Sequence, residues 1–353
     1  MTPTNHITIP FSELEAEGAR SWTEFKTLLL TIPGAAEVPA IRRTLQRSLA
    51  KCNQNLYTYF PFIFQDGFPK ITTSQLRNLS ISALLLLYHS LLTDRLVDRD
   101  KEVALNTAAL FANQGTLLWA WNLLDTAAGE RPLPWSDLLA DYREFGLALL
   151  RESQQHAGKP SAYSDEDLIH IIARKSALAK IITTTMCYLG DRPEAAQYLA
   201  NSLDSWNLSS NLMDDLEDWK VDLRKRRFTY LLTIAIDELG GWPALCHLNA
   251  DCMQERIGKH IYSSGLINRY LTRAISCLDV SAESAELAEC QRWASYINAY
   301  KCRLIARKNQ IESALRELVV EHCGGRFTPV RTAAPKQSRS SPVSSLDESR
   351  EVL

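Results

Sequence analysis

Short clusters of glycine and proline cut this chain at intervals that suit helices and little else. They fall at Gly129-Glu130-Arg131-Pro132, Gly158-Lys159-Pro160, Gly190-Asp191-Arg192-Pro193 and Gly240-Gly241-Trp242-Pro243. Such residues end or interrupt helices. Between them apolar residues recur at helical spacing, and period-two alternation is almost absent. Helices are expected near 102–128, 135–156, 164–189, 193–224, 226–239, 254–278 and 283–320. Another should run from Thr72-Thr73-Ser74, which offer a cap, to about Asp98. An earlier one, from Val38, has Leu45, Leu49, Leu56 and Phe60 on one face. The expectation is an all-α fold without solenoid repeats.

The 353 residues are 46% hydrophobic, enough for a sizeable core. The net charge of −2 gives no support to nucleic-acid binding. The longest apolar run, Leu79 to Leu92, is broken by Ser80, Ser82, His89 and Ser90 and is too short and polar for stable membrane insertion. Eight cysteines (Cys52, Cys187, Cys246, Cys252, Cys277, Cys290, Cys302, Cys323) form no CxxC pair, so they read as reduced thiols rather than a zinc or redox site. With no export signal visible, a cytoplasmic protein is expected. Three parts are expected: an irregular segment over 1–34, holding an amphipathic piece from Ser12 to Leu30, a helical domain over 35–325, and a tail over 326–353. The tail is too rich in Ser, Pro and charge to offset its ordering entropy and is expected to be disordered.

Two acidic patterns carry the chemistry. The first is Asn211-Leu212-Met213-Asp214-Asp215-Leu216-Glu217-Asp218-Trp219-Lys220-Val221-Asp222. Asp214, Asp218 and Asp222 recur every fourth residue, so on a helix they form one stripe about 12 Å long. Aligned carboxylates repel one another and call for a cation. Hard oxygen ligands of this kind suit Mg²⁺, which is commonly held by one or two carboxylates plus substrate phosphates. The second pattern is Asp94 and Asp98 at the C-terminal end of an apolar helix, where the helix dipole already disfavours carboxylates. Either could alone be a solvated helix face, but both together point to metal-assisted phosphate chemistry. Asp215 lies about 100° off the stripe; orienting Lys175, orienting a metal-bound water and joining a salt bridge are all open to it. His89, and Trp119, Trp121, Trp135 and Trp206, read first as core residues. Arg292, Tyr296, Tyr300 and Arg303 recur at helical spacing, either near a phosphate or as a packed stripe with solvated arginines.

These residues resemble the paired aspartate-rich motifs of the class I isoprenoid synthases. That all-helical superfamily builds a bundle around a central apolar cavity and includes prenyl diphosphate synthases, terpene cyclases and squalene/phytoene synthases. Ser90-Leu91-Leu92-Thr93-Asp94-Arg95-Leu96-Val97-Asp98-Arg99-Asp100 is similar to the prenyl synthase first motif, with Arg95 in place of the second aspartate. Asp214-Asp215-Leu216-Glu217-Asp218 matches the second. Ala173-Arg174-Lys175-Ser176-Ala177-Leu178 is similar to the segment whose lysine binds diphosphate. The resemblance implies three Mg²⁺ ions held by Asp94 and Asp98 on one side and Asp214, Asp218 and Asp222 on the other. It implies a diphosphate bound by Lys175 and Arg227, with Arg174 as a substitute, and a pocket near His89, Ser90, Asn207, Ser210 and Asn211.

The departures set the expected activity. The Gly-Lys-Arg-x-Arg-Pro and Arg-Arg-Gly segments that bind isopentenyl diphosphate in elongating enzymes are absent, and Asp100 is followed by Lys101-Glu102-Val103. The spacing of Asp214, Asp218 and Asp222 is similar to the metal triad of terpene cyclases at its outer positions. A Mg²⁺-dependent terpene synthase is therefore expected, ionising farnesyl or geranylgeranyl diphosphate and releasing diphosphate. The alternative is a prenyltransferase, elongating or head-to-head. A non-catalytic partner subunit is a third reading, which the intact second motif disfavours. Dimers are common for the fold, which leaves homodimerisation open.

Overall fold

The computed structural model describes residues 12–38, 41–43, 56–97, 107–157 and 163–323. Twelve α-helices and no strand occur among them. The expected tail 326–353, the residues Asp98, Asp100, Leu45 and Leu49, and the cluster at Gly158 lie outside the described residues.

The first helix, α1 (Ser12–Thr31), occupies the amphipathic piece of a segment otherwise read as irregular. It is helical because Trp22, Phe25 and Leu29 form one apolar face, buried in the core. After α1 the chain turns at Gly34, whose φ is 76°; an added Cβ would lie 2.8 Å from Ala108 Cα, so only glycine fits. The one-turn α2 (Leu56–Tyr59) precedes the central helix α3 (Thr73–Val97). Thr72 caps α3 through a reciprocal box: Gln75 N–H donates to Thr72 Oγ1 (3.3 Å), and Thr72 N–H donates to Gln75 Oε1 (3.0 Å). Helix α3 is apolar on most of its circumference, which places it inside the bundle. It packs most extensively on α4 (Thr107–Ala128).

Helix α5 (Trp135–Ala157) leads to a segment expected to be one helix over 164–189. The backbone instead changes hydrogen-bond register. A single α turn, α6 (Asp165–Asp167), passes into a π turn (Leu168–Ile172), then a 3₁₀ turn (Ala173–Ser176), then α7 (Ala177–Leu189). The altered register frees carbonyls that an α-helix would use itself. Asn207 Nδ2 donates to one of them, Ile172 O, at 2.6 Å.

Helix α8 (Ala195–Lys225) buries Leu199, Leu203, Leu212, Leu216, Trp219 and Leu223. It packs against α11 (Leu266–Leu287). Ser202 and Ser281 let the two helices approach closely: Ser202 Oγ donates to Ser281 O at 2.8 Å and Ser281 Oγ to Ser202 O at 2.7 Å. Arg226, at φ 57°, ends α8, and Arg227 N–H donates to Asp222 O at 2.9 Å. That closure delays α9 (Tyr230–Glu238) past the expected start at 226. The helix expected over 254–278 is two, α10 (Ala250–Ser263) and α11, split because Gly265 takes φ 78°. The last, α12 (Gln291–Cys323), starts later than 283 because α11 continues to Leu287 and Glu289 turns at φ 60°.

The chain divides into two units, Met1–Glu312 and Ser313–Leu353. The core and the site belong to the first. In the second, residues 313–323 are helical, with Ser313 Oγ 3.4 Å from Glu317 Oε1. Among the described residues no helix is long and apolar enough to cross a membrane.

Candidate active site

The acidic stripe lies along α8, on the side left over once its apolar face is buried. Asp214 sits at the rim of a cavity of about 170 Å³. Asp214 and Asp218 accept no hydrogen bond and make no ion pair among the described residues. Partial withdrawal from water, then the charges of Glu217, Asp218 and Asp222, push the Asp214 carboxyl up to about 6. Asp222 is also raised, first by burial, with Arg227 and Lys225 opposing. Asp215 turns away from the stripe. Its Oδ2 accepts from Tyr270 Oη at 2.8 Å. Burial is the main cause that pushes Asp215 up to about 7.

Lys175, in the 3₁₀ turn before α7, lines a smaller neighbouring cavity. Its ammonium is ion-paired with Glu152 on α5 and lies 3.9 Å from Asp94 Oδ1 at the end of α3. The register change at 168–176 therefore brings Lys175 beside Asp94. Arg174 points elsewhere: Nη1 pairs with Glu144 Oε2 at 2.5 Å, and Arg174 lines neither the larger cavity nor its smaller neighbour. Arg227 follows α8, and its charge acts on Asp222.

Of the expected pocket residues, Asn207, Ser210 and Asn211 line the larger cavity and Ser90 a smaller neighbour. His89 does not join them. One residue along α3 is about 100° of rotation, and this turns His89 into the core. There Nδ1 lies 3.2 Å from Asn113 O and Nε2 3.2 Å from Tyr142 Oη. Burial accordingly lowers the imidazole's pKa. Sequence patterns missed Tyr57, Phe60 and Ala179 as lining residues of the cavity. Trp206, read as core, also lines it, backed by Tyr300 and Tyr296 at ring distances of 4.9 and 5.3 Å.

Beneath the wall a polar chain holds Ser176. Its Oγ donates to Asp204 Oδ1 at 2.6 Å, and Lys180 Nζ donates to Asp204 Oδ2 at 2.7 Å. Asp141 accepts from Thr184 Oγ1 at 3.3 Å, and burial, opposed chiefly by Lys180, pushes its carboxyl up to about 6. A carboxyl raised from 3.8 to about 6 binds its proton more tightly in the folded state, so stability falls as pH rises through that window. Asp141→Asn is expected to raise Tm at pH about 7.5. The gain should shrink as pH falls through 6 and vanish near 4, which thermal melts at several pH values will check.

No three His, Cys, Asp or Glu side chains converge on one point among the described residues. The carboxylates are instead strung along a helix, unpaired at Asp214 and Asp218. That spacing fits ions shared with a bound phosphate better than an ion caged by protein.

The all-helical fold is shared with solved structures, and its two acidic helices line two cavities that have Tyr57 and Ala179 in common. The geranylgeranyl pyrophosphate synthetase of the archaeon Geoglobus acetivorans superposes with a TM-score of 0.63 at 13% identity, over 82% of this chain and 98% of that one. The geranylgeranyl pyrophosphate synthetase of Pyrococcus horikoshii Ot3 gives a TM-score of 0.53, also at 13% identity, over 81% and 98%. At that identity the likeness establishes the fold. No protein-family model and no curated protein matches the sequence.

Proposed function

We propose that this chain is a Mg²⁺-dependent enzyme acting on an allylic prenyl diphosphate. The observation that carries the reading is Asp214, unpaired among the described residues at the rim of the larger cavity with Asp218 one turn further along α8, while Lys175, 3.9 Å from Asp94, lines the smaller one. Asp94, Asp98, Asp214, Asp218 and Asp222 would hold the metal. Bound there, the ions would act as Lewis acids on the leaving diphosphate. Lys175 would donate charged hydrogen bonds to the same oxygens, with Arg227 beside Asp222. The apolar wall, from Phe60 to Trp206, would exclude water from the cation left behind.

The fold neighbours, both geranylgeranyl pyrophosphate synthetases matched over nearly their whole length, favour transfer of the allylic group to a second prenyl substrate. One observation keeps the one-substrate terpene synthase as the second reading: the basic segments that bind isopentenyl diphosphate in elongating enzymes are missing from the sequence. Product analysis with Mg²⁺ and geranyl, farnesyl or geranylgeranyl diphosphate, each with and without isopentenyl diphosphate, separates the two. A condensed product supports transfer, a hydrocarbon or alcohol from one substrate supports cyclisation, and no diphosphate release from any of them refutes both.

Lys175→Ala is expected to lower kcat/KM for diphosphate release about a hundredfold, the scale for losing one charged donor to a developing anion. An unchanged kcat/KM would remove Lys175 from the site.

A further inference from the structure

Side chains of α8 grip the backbone ahead of α7 on both sides of Lys175. Before the lysine, Asn207 Nδ2 donates to Ile172 O at 2.6 Å and lies 3.5 Å from Ala173 O. After it, Ser176 Oγ donates to Asp204 Oδ1 at 2.6 Å, and Lys180 Nζ holds Asp204 Oδ2 at 2.7 Å. The Asn207 amide is itself fixed. Its Oδ1 accepts from Asn211 Nδ2 at 3.2 Å, which leaves Nδ2 facing the two carbonyls. Asp204, Asn207, Asn211 and Asp214 stand at i, i+3, i+7 and i+10, within about 80° of one another around the axis. One face of α8 therefore carries both the grip and the start of the acidic stripe.

The grip matters because the gripped segment is out of α register. Ala173 N–H donates to Leu168 O, five residues back, and Ala177 N–H to Arg174 O, three residues back. In an unbroken α-helix Ile172 O and Ala173 O would accept from the N–H groups of residues 176 and 177; here the Asn207 amide is aimed at both. Lys175 and Ser176 are neighbours in sequence, yet Lys175 lines the smaller cavity and Ser176 the larger. A slip of one residue turns a helical side chain by about 100°. Such a slip would carry Lys175 away from Glu152 and Asp94.

We propose that Asn207 is a positioning residue for Lys175: its amide fixes the register change, so the helix that carries the acids also sets where the ammonium stands. The proposal rests on the prenyl diphosphate reading of the site, in which Lys175 meets the diphosphate. Asn207 acts through the backbone and needs no contact with the ligand, because its amide is engaged by protein at both ends. Without that donor the two carbonyls regain partners only by returning to α register, since a carbonyl left unpaired inside a protein is costly. Lys175 moves with them. Ser176, held by Asp204, is the second anchor.

The test is a double-mutant cycle read as binding of inorganic pyrophosphate in the presence of Mg²⁺, measured by calorimetry on the full chain. Asn207→Leu keeps the volume and removes the donor, and is expected to weaken binding about tenfold; Lys175→Ala should weaken it by at least as much. In the Lys175→Ala background, Asn207→Leu should add less than about twofold, because the group it places is gone. Ser176→Ala, the loss of one oxygen atom, should weaken binding about threefold and likewise add nothing without the lysine. This variant keeps the proposal testable if Asn207→Leu does not fold. Equal factors with and without Lys175 would overturn the proposal, because the asparagine would then act on the ligand or on the cavity directly. So would Asn207→Leu binding like the parent while Lys175→Ala binds weakly. Both results leave the proposed function standing. A parent that binds no pyrophosphate with Mg²⁺ would overturn both.

Discussion

Asp214→Asn is expected to abolish diphosphate release and, at the same time, to raise the melting temperature at neutral pH. The two effects have one cause. Partial withdrawal from water, then the charges of Glu217, Asp218 and Asp222, push the Asp214 carboxyl up to about 6. The folded state therefore binds that proton more tightly than the unfolded chain does. The destabilisation from ionising Asp214 is absent near pH 4, grows through the window up to about 6, and is fully present above it. Asparagine carries no charge and so removes both the cost of withdrawing it from water and the repulsion. It also removes a metal ligand, for which a loss of about a thousandfold or more is expected, since losing several kcal/mol of charge stabilisation costs a factor of ten per 1.36 kcal/mol. Asp218→Ala should lose turnover in the same way. Activity assays with Mg²⁺, with chelator, and with Mg²⁺ restored, set beside thermal melts, check both halves. Turnover near the parent level in both variants would refute the metal assignment.

The largest stability loss is expected at Trp293. Its ring is fully buried, stacked on Tyr296 at 5.5 Å and 13°, and in contact with Phe64 and Trp206 at ring distances of 5.2 Å each. Its Nε1 donates to Ser202 Oγ at 2.8 Å, and Ser202 is the residue through which α8 meets Ser281 on α11. One side chain thus anchors α12, α8 and the 3₁₀ turn over Phe62–Gly67. Trp293→Ala should cost about 3–5 kcal/mol by cavity formation. That is a large part of the total stability of an ordinary domain, about 5–15 kcal/mol. Trp293→Phe should cost less, because most of the volume is kept, although the hydrogen bond to Ser202 is lost. Urea titrations of both variants measure this. The same substitution removes the backing of Trp206, so the cavity wall should loosen with the core.

The helical architecture was legible because α3, α5 and α8 keep apolar residues at helical spacing over many turns, between punctuation that is mostly glycine and proline. The breaks at Leu168–Ser176, Ser264-Gly265 and 288–290 were not. The first is a register change fixed by Asn207, a residue of another helix, and no local pattern in 164–176 announces it. The acidic stripe could be read because three carboxylates in line are unfavourable without a purpose. Ser90, Asn207, Ser210 and Asn211 could be placed because they sit one or two turns from those acids. Tyr57 and Ala179 could not: an aromatic and a small residue on ordinary helices acquire meaning only from what stands across the cavity. His89, which reads first as a core residue and second as a pocket neighbour of Ser90, lies in the core, because one position along α3 is the difference between the two.

The pairing of Lys175 with Glu152 and its closeness to Asp94 have a consequence for how the site meets its ligand. The ammonium assigned to a diphosphate is already engaged by carboxylates of the protein itself. In the proposed reading, an incoming anion does not fill a vacant charge; it displaces Glu152. Binding is an ion exchange, and its strength is the difference between two pairings rather than the worth of either. A free anion that carries no metal to occupy the released carboxylates should compete poorly, so the site selects for an anion and its counter-ions arriving together.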